Sequence, residues 1–197
     1  MKNFFLKLGV CALALTGAAE VLAQEQVIQL FAHRGSRFEY DENTLPAFKA
    51  SYDAGLRGFE TDIRMTRDGA LVITHDSSLE RTTDGTGTVE EKTEAEIRRL
   101  RTKQGNKVLF LDELLEFLEG KEGLYVEFEM KTKPEALYPE ERLHAYCDKL
   151  YDAVMAVKPA DATFVFTSGD YRGLRYLQAK HPGVDLLLIT SKPCNDE

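Results

Sequence analysis

Five side chains able to bind a metal ion or move a proton, His33, Glu60, Asp62, His75 and Glu129, lie in or just after short apolar runs. Glu60 and Asp62 stand two residues apart in Gly58-Phe59-Glu60-Thr61-Asp62-Ile63, so on an extended strand both project from one face. Two carboxylates held that close repel unless a cation joins them. With a third carboxylate from another strand they form the all-oxygen environment that Ca²⁺ or Mg²⁺ prefers, and Glu129 is the natural third ligand. A Glu-x-Asp pair alone is ordinary on a solvated strand face. Its place after a strand that opens on glycine, between apolar Phe59 and Ile63, gives it weight. His33 closes one strand run in Phe31-Ala32-His33-Arg34-Gly35, and His75 another in Val72-Ile73-Thr74-His75-Asp76. Imidazole titrates near neutrality, so one ring can take a proton while the other gives one. Either histidine alone reads as a hydrogen-bonded residue at a strand end; the pair beside three carboxylates reads as a catalytic site.

These residues need a scaffold that brings strand ends together. Runs rich in β-branched and aromatic residues occur at 27–32, 58–63, 70–74, 124–130, 163–167 and 185–190. Helical patterns lie at 44–54, with Pro46 in the first turn, and at 93–100, 111–118, 139–157 and 170–179. Strands alternating with helices predict βα units around a parallel sheet. Thr66-Arg67-Asp68-Gly69 departs from this as a turn between two close strands. In 125–131 the apolar Val126, Phe128 and Met130 alternate with Glu127, Glu129 and Lys131. An open sheet covered by helices on both faces penalises such a charged face, whereas a barrel can use it to line a polar mouth. The fold class expected is therefore α/β, a TIM-type (β/α) barrel, with Lys131 and both histidines converging on the mouth. Glu127, one pleat deeper than Glu129, is expected to pair with an interior cation. Asn43 and Thr44 suit a helix start as well as a site, and His144 and His181 fall on helical stretches, as surface residues.

The N-terminus has Lys2 and Lys7, an apolar run from Leu8 to Leu15, then small residues leading to Ala23. That order predicts a secretory signal peptide over 1–23 and an exported, periplasmic or secreted protein. The apolar run is shorter than the roughly 20 residues of a membrane span, and Cys11 lies inside it after Val10, which argues against a lipid anchor. The single remaining domain is expected over 24–197, and is short for an eight-stranded barrel of roughly 250 residues. The net charge of −8 becomes −9 without Lys2, Lys7 and Glu20, which excludes a nucleic-acid partner gripped through its phosphate backbone. Cys147 and Cys194 are too few for a disulfide framework. Cys147 continues the stripe Leu143, Leu150, Val154, Val157 and is expected to be buried.

Taken in order, His33-Arg34-Gly35, Asp41-Glu42-Asn43-Thr44, Glu60-Thr61-Asp62, Thr66-Arg67-Asp68-Gly69, His75-Asp76, Leu79-Glu80-Arg81-Thr82-Thr83 and Glu129-Met130-Lys131 resemble the glycerophosphodiester phosphodiesterase family over about residues 31–190. The resemblance implies a TIM-type barrel and one divalent ion, Ca²⁺ or Mg²⁺, held by Glu60, Asp62 and Glu129. It implies acid–base work by His33 and His75, with Arg34 catalytic and, with Lys131, in contact with the phosphate. The substrate implied is a glycerophosphodiester, split into glycerol 3-phosphate and an alcohol. Which histidine gives the proton, and whether the nucleophile is water or the neighbouring glycerol hydroxyl, stay open. Arg81-Thr82-Thr83 is expected to order the loop after His75. Asp41 stands where the family usually has proline, and Leu109-Phe110 where it has Pro-Thr. The family also continues through two more strands, the last usually bearing a tryptophan, and this sequence has none. The expectation is a barrel with six of eight strands. Two other readings remain: a related phosphodiesterase for lysophospholipid or a wall polymer, and a non-catalytic exported binding protein or fragment.

Overall fold

The computed structural model describes residues 30–191. The expected signal segment, Cys11, Cys194 and residues 27–29 of the first strand lie outside the described residues. Six strands form, Phe31–His33 (β1), Gly58–Met65 (β2), Leu71–Ile73 (β3), Tyr125–Met130 (β4), Thr163–Ser168 (β5) and Leu186–Leu188 (β6). Five run parallel in the order β1-β2-β4-β5-β6. Sheet order follows chain order without a reversal, so there is no switch point of the doubly wound type, and the winding is that of a TIM-type barrel. The described residues do not close it.

One strand runs antiparallel, at the turn expected between two close strands. β3 pairs antiparallel with the far half of β2, Met65 facing Leu71 and Ile63 facing Ile73, because the turn at 66–69 is too short for a crossover. His75 therefore reaches the mouth by a hairpin that folds back over it. Residues 74–110 then make a long excursion whose Leu79, Val89, Ile97, Val108 and Phe110 form a small core with Val72 of β3. The second helix, α2 (Glu94–Ile97), lies in this excursion and is shorter than expected, although Thr93 and Glu96 form a complete capping box.

The other helices follow their patterns. In α1 (Leu45–Asp53) the Thr44 side chain caps Ala47 N and proline sits in the first turn; α1 buries Phe48 against Phe59 of β2. α3 (Leu111–Leu118) buries Leu111, Leu114, Leu115 and Leu118. α4 (Glu140–Val157) buries Leu143, Tyr146, Cys147, Leu150 and Val154, the 3.6-residue stripe of a helix packed on a sheet. Cys147 is fully buried, and that burial pushes its thiol up to about 12, as befits a small apolar residue. α5 (Tyr171–Lys180) is capped by the Asp170 carboxylate accepting from Arg172 N. No described helix is long and apolar enough to cross a membrane.

Candidate active site

The site is assembled from register. His33 on β1 lies opposite Glu60 on β2, and Asp62 opposite Glu129 on β4. Two residues of left-handed backbone follow β1, Arg34 at φ 58° and Gly35 at φ 75°. A Cβ on Gly35 would stand 2.7 Å from Ala47 Cβ, so only glycine lets the loop pack on α1. The turn aims Arg34 N at Glu60, whose main-chain O (3.1 Å) and Oε2 (3.2 Å) it contacts. Arg34 itself adopts a backbone region costly for a long side chain, and its Nε lies 3.2 Å from Asp62 Oδ2.

A carboxylate oxygen from each of Glu60, Asp62 and Glu129 lies within 4.8 Å of the others. Oxygens bound to one Ca²⁺ at its usual distances stand at most about 5 Å apart, so the three fit a single ion. Asp62 is fully buried and Glu60 nearly so. Glu60 Oε1 is buried with no partner among the described residues. Burial, followed by the charges of Asp62 and Glu129, pushes Glu60 up to about 8. An orphaned oxygen on a carboxyl that resists ionising is what a divalent cation would satisfy. Lys131 Nζ stands 2.7 Å from Glu129 Oε1 and 3.2 Å from Asp62 Oδ1, and neutralises part of the cluster.

Asn43 does more than start a helix. Its Nδ2 donates to Asp62 Oδ2 at 2.8 Å, and its Oδ1 accepts from Thr61 Oγ1 at 3.3 Å; a φ of 58° puts it there. The sequence left Asn43 open between a helix start and a site residue, and the fold adds the contact to Asp62. Glu127 disagrees with its expected cation: it accepts from the Tyr125 hydroxyl at 3.3 Å, its neighbour two residues back on the same strand face, and stays outside the cluster.

His33 Nε2 lies 3.5 Å from Glu60 Oε2. Its pKa is lowered, first by burial and then by Arg34 and Arg37, which keeps the ring neutral at neutral pH. On the opposite rim, His75 Nδ1 is 2.6 Å from Asp76 Oδ1. Asp76 is held near 2, chiefly by the hydrogen bond from Arg81, so it is an anion that can only accept. The proton on His75 therefore sits on Nδ1 and leaves Nε2 for chemistry. Arg81 also donates to both oxygens of Glu42, at 2.7 and 3.0 Å, and Glu42 Oε1 accepts from Arg34 at 3.2 Å. The loop-ordering role expected of Arg81 is thus observed, and it ties the loop after β3 to the loop after β1. A cleft of about 420 Å³ runs past Arg64, His75, Asp76, Glu129, Lys131 and Lys133, large enough for a small ligand. His144 and His181 are far from it, stacked on Tyr176 and Tyr151.

The sequence profile of the glycerophosphoryl diester phosphodiesterase family matches residues 33–197. The chain belongs to this family. Among its relatives, a glycerophosphodiester phosphodiesterase of Caldanaerobacter subterraneus subsp. tengcongensis is 37% identical over 123 residues, covering 58% of this chain and 50% of the relative. Human glycerophosphodiester phosphodiesterase 1 is 42% identical over 83 residues, covering 42% of this chain and 25% of the relative. The chain thus spans about half the length, or less, of these curated relatives. Among solved structures, an Oleispira antarctica phosphodiesterase in complex with sn-glycerol-3-phosphate superposes with a TM-score of 0.74 at 26% identity, over 85% of this chain and 68% of that one. A glycerophosphodiester phosphodiesterase from Agrobacterium tumefaciens gives 0.66 at 28% identity, over 80% and 65%. These likenesses bear out the barrel class read from the alternation along β4. The family's phosphodiesterase chemistry fits the grouping of five polar side chains at one end of the sheet.

Proposed function

We propose that this protein hydrolyses glycerophosphodiesters to glycerol 3-phosphate and an alcohol with the help of one divalent cation. The observation that carries the reading is the packing of Glu60, Asp62 and Glu129 within 4.8 Å beside two histidines whose environments differ. When bound, the ion supplies positive charge to a phosphate oxygen, and Glu60, Asp62 and Glu129 would hold it. Ca²⁺ and Mg²⁺ both suit three carboxylates, and Ca²⁺ tolerates the irregular geometry better. Arg34 and Lys131 supply fixed positive charge where the phosphorus becomes five-coordinate. His33, kept neutral by burial and neighbouring arginines, is the proton acceptor for the attacking hydroxyl. His75, whose Nδ1–H donates to the Asp76 carboxylate, presents Nε2 to the leaving oxygen and is the proton donor in the form that carries a second proton on Nε2. The cleft beside His75 and Lys133 receives the alcohol.

The test is glycerol 3-phosphate release from glycerophosphocholine by the purified chain, with and without chelator. Turnover is expected to need added Ca²⁺ or Mg²⁺, and Glu60→Ala to abolish metal binding in calorimetry. Release that survives chelation, or an E60A variant that still binds the ion, sinks the reading. Export is part of the same proposal, supported by the order of charged, apolar and small residues in 1–23. The exported protein is expected to begin at Gln24, and N-terminal sequencing that finds Met1 on it counts against that.

A further inference from the structure

Arg64 follows Asp62 by two residues on β2, so it projects from the same face as Glu60 and Asp62, yet it touches neither carboxylate. It is buried, and it lines the cleft beside His75 and Lys131. Its Nε donates to the main-chain O of His75 at 3.0 Å, and its Nη1 donates to the main-chain O of Lys131 at 3.2 Å. The same Nη1 donates to Glu90 Oε1 at 2.8 Å. Glu90 belongs to the short 3₁₀ turn Val89–Glu91, and its carboxylate is buried too. Its Oε1 also accepts from the Tyr138 hydroxyl at 3.1 Å, and that hydroxyl accepts from Met65 N at 3.0 Å.

A buried ion pair seldom stabilises a fold over apolar side chains of the same volume, so this one calls for another use. One planar guanidinium fixes its donors relative to each other. Here those donors meet main-chain oxygens separated by more than fifty residues in sequence, one following β3 and the other following β4. We infer that Arg64, locked by Glu90, is a positioning residue that sets the spacing between the His75 and Lys131 side chains across the cleft. The inference rests on the function proposed above. Arg64 moves no proton and its charge is balanced by Glu90. Its role is geometric, because a displacement of about 1 Å at a reacting group costs on the order of 100-fold in rate. Lysine cannot replace it, since a single ammonium with rotating donors does not hold two carbonyls and a carboxylate in one plane.

The test compares wild type with Arg64→Lys and with the double variant Arg64→Met/Glu90→Gln, which removes both charges and strands neither. Melting temperature, calorimetric metal affinity, kcat and KM on glycerophosphocholine, and the imidazole ¹⁵N signals of His75 at fixed pH are read for each. The double variant is expected to melt near wild type and bind the metal unchanged, with kcat lower by about 10- to 100-fold. Its His75 signals should shift and broaden as the ring loses its one fixed position, although Asp76 still holds Nδ1. R64K, which keeps the charge opposite Glu90, should also melt near wild type and still fall short of wild-type kcat. A double variant with wild-type kcat and unaltered His75 signals overturns the inference, as does a kcat that falls only with the folded fraction. Should wild type release no glycerol 3-phosphate, the proposed function fails, while the His75 signals, which need no substrate, still decide for or against the brace.

Discussion

At the residue scale the two histidines differ in what fixes them, and the difference can be measured. His33 is pressed toward neutrality by burial and two arginines, whereas His75 is oriented through Nδ1 by an aspartate that stays ionised. If His75 protonates the leaving oxygen, a substrate with a p-nitrophenol leaving group needs it little. His75→Ala should then lose about 100- to 10,000-fold in kcat on glycerophosphocholine but far less on the p-nitrophenyl diester. His33→Ala should lose heavily on both, and equal losses for the two variants on both substrates refute the division. Glu60 gives a second handle. Its folded pKa of about 8 lies above the ordinary glutamate value of 4.5, so the folded chain holds a proton that the unfolded chain releases. Stability from this group is fully present below about 4.5 and is lost as pH rises toward 8. The metal-free protein should lose on the order of a few kcal/mol across that window, and saturating Ca²⁺, which binds the ionised form, should flatten or reverse the trend. A flat metal-free profile of unfolding free energy in urea between pH 5 and 8 would contradict the burial of Glu60.

Elements place these residues through a few tight turns. The loop after β1 reverses within two left-handed residues, and Gly35 is where α1 comes closest. Gly35→Ala sets its methyl against Ala47 and forces a φ of 75° on alanine. It is expected to cost about 1–3 kcal/mol and to lower activity beyond the loss of folded protein, because His33 and Arg34 sit on the same turn. Melting and kcat per folded molecule check both halves, and a variant equal to wild type in both removes the strain argument. The same loop shows what a sequence carries on its surface. Periodicity revealed α3, α4 and α5 nearly to the residue, and the charge alternation in β4 pointed to the barrel mouth, because both patterns are local. The antiparallel course of β3 was half visible in the turn at 66–69. Asn43 was legible as a helix start or a site residue, without its partner, whereas the Arg64–Glu90 pair was not visible, since it depends on an element brought close only by the fold. The Glu60, Asp62, Arg64 spacing was the one signal for the latter; Glu90 offered none.

For the whole molecule, the winding that creates the site also leaves two sheet edges. Among the described residues β1 pairs only with β2 and β6 only with β5. Leu30 and Phe31 are exposed on one side, and Leu187, Leu188 and Ile189 are each between 44% and 49% exposed on the other. Consecutive exposed apolar residues on both faces of a strand mean that, among the described residues, neither a neighbouring strand nor a helix covers them. Such an edge offers unpaired main-chain groups and an apolar strip together, which is the template on which a second chain pairs. A polypeptide of residues 24–197 is therefore expected to self-associate, with a weight-average mass that rises with concentration in sedimentation velocity. Leu187→Lys combined with Ile189→Lys puts two charges on the strip, where they repel a second copy. Because both side chains are already close to half exposed, folding stability should change by no more than about 0.5 kcal/mol per site, and the double variant should stay monomeric with the His33–Glu60 end of the sheet unaltered. Wild type that remains monomeric at every concentration, or a variant that associates just as strongly, would show that the β6 edge is covered and that the open seam has no consequence in solution.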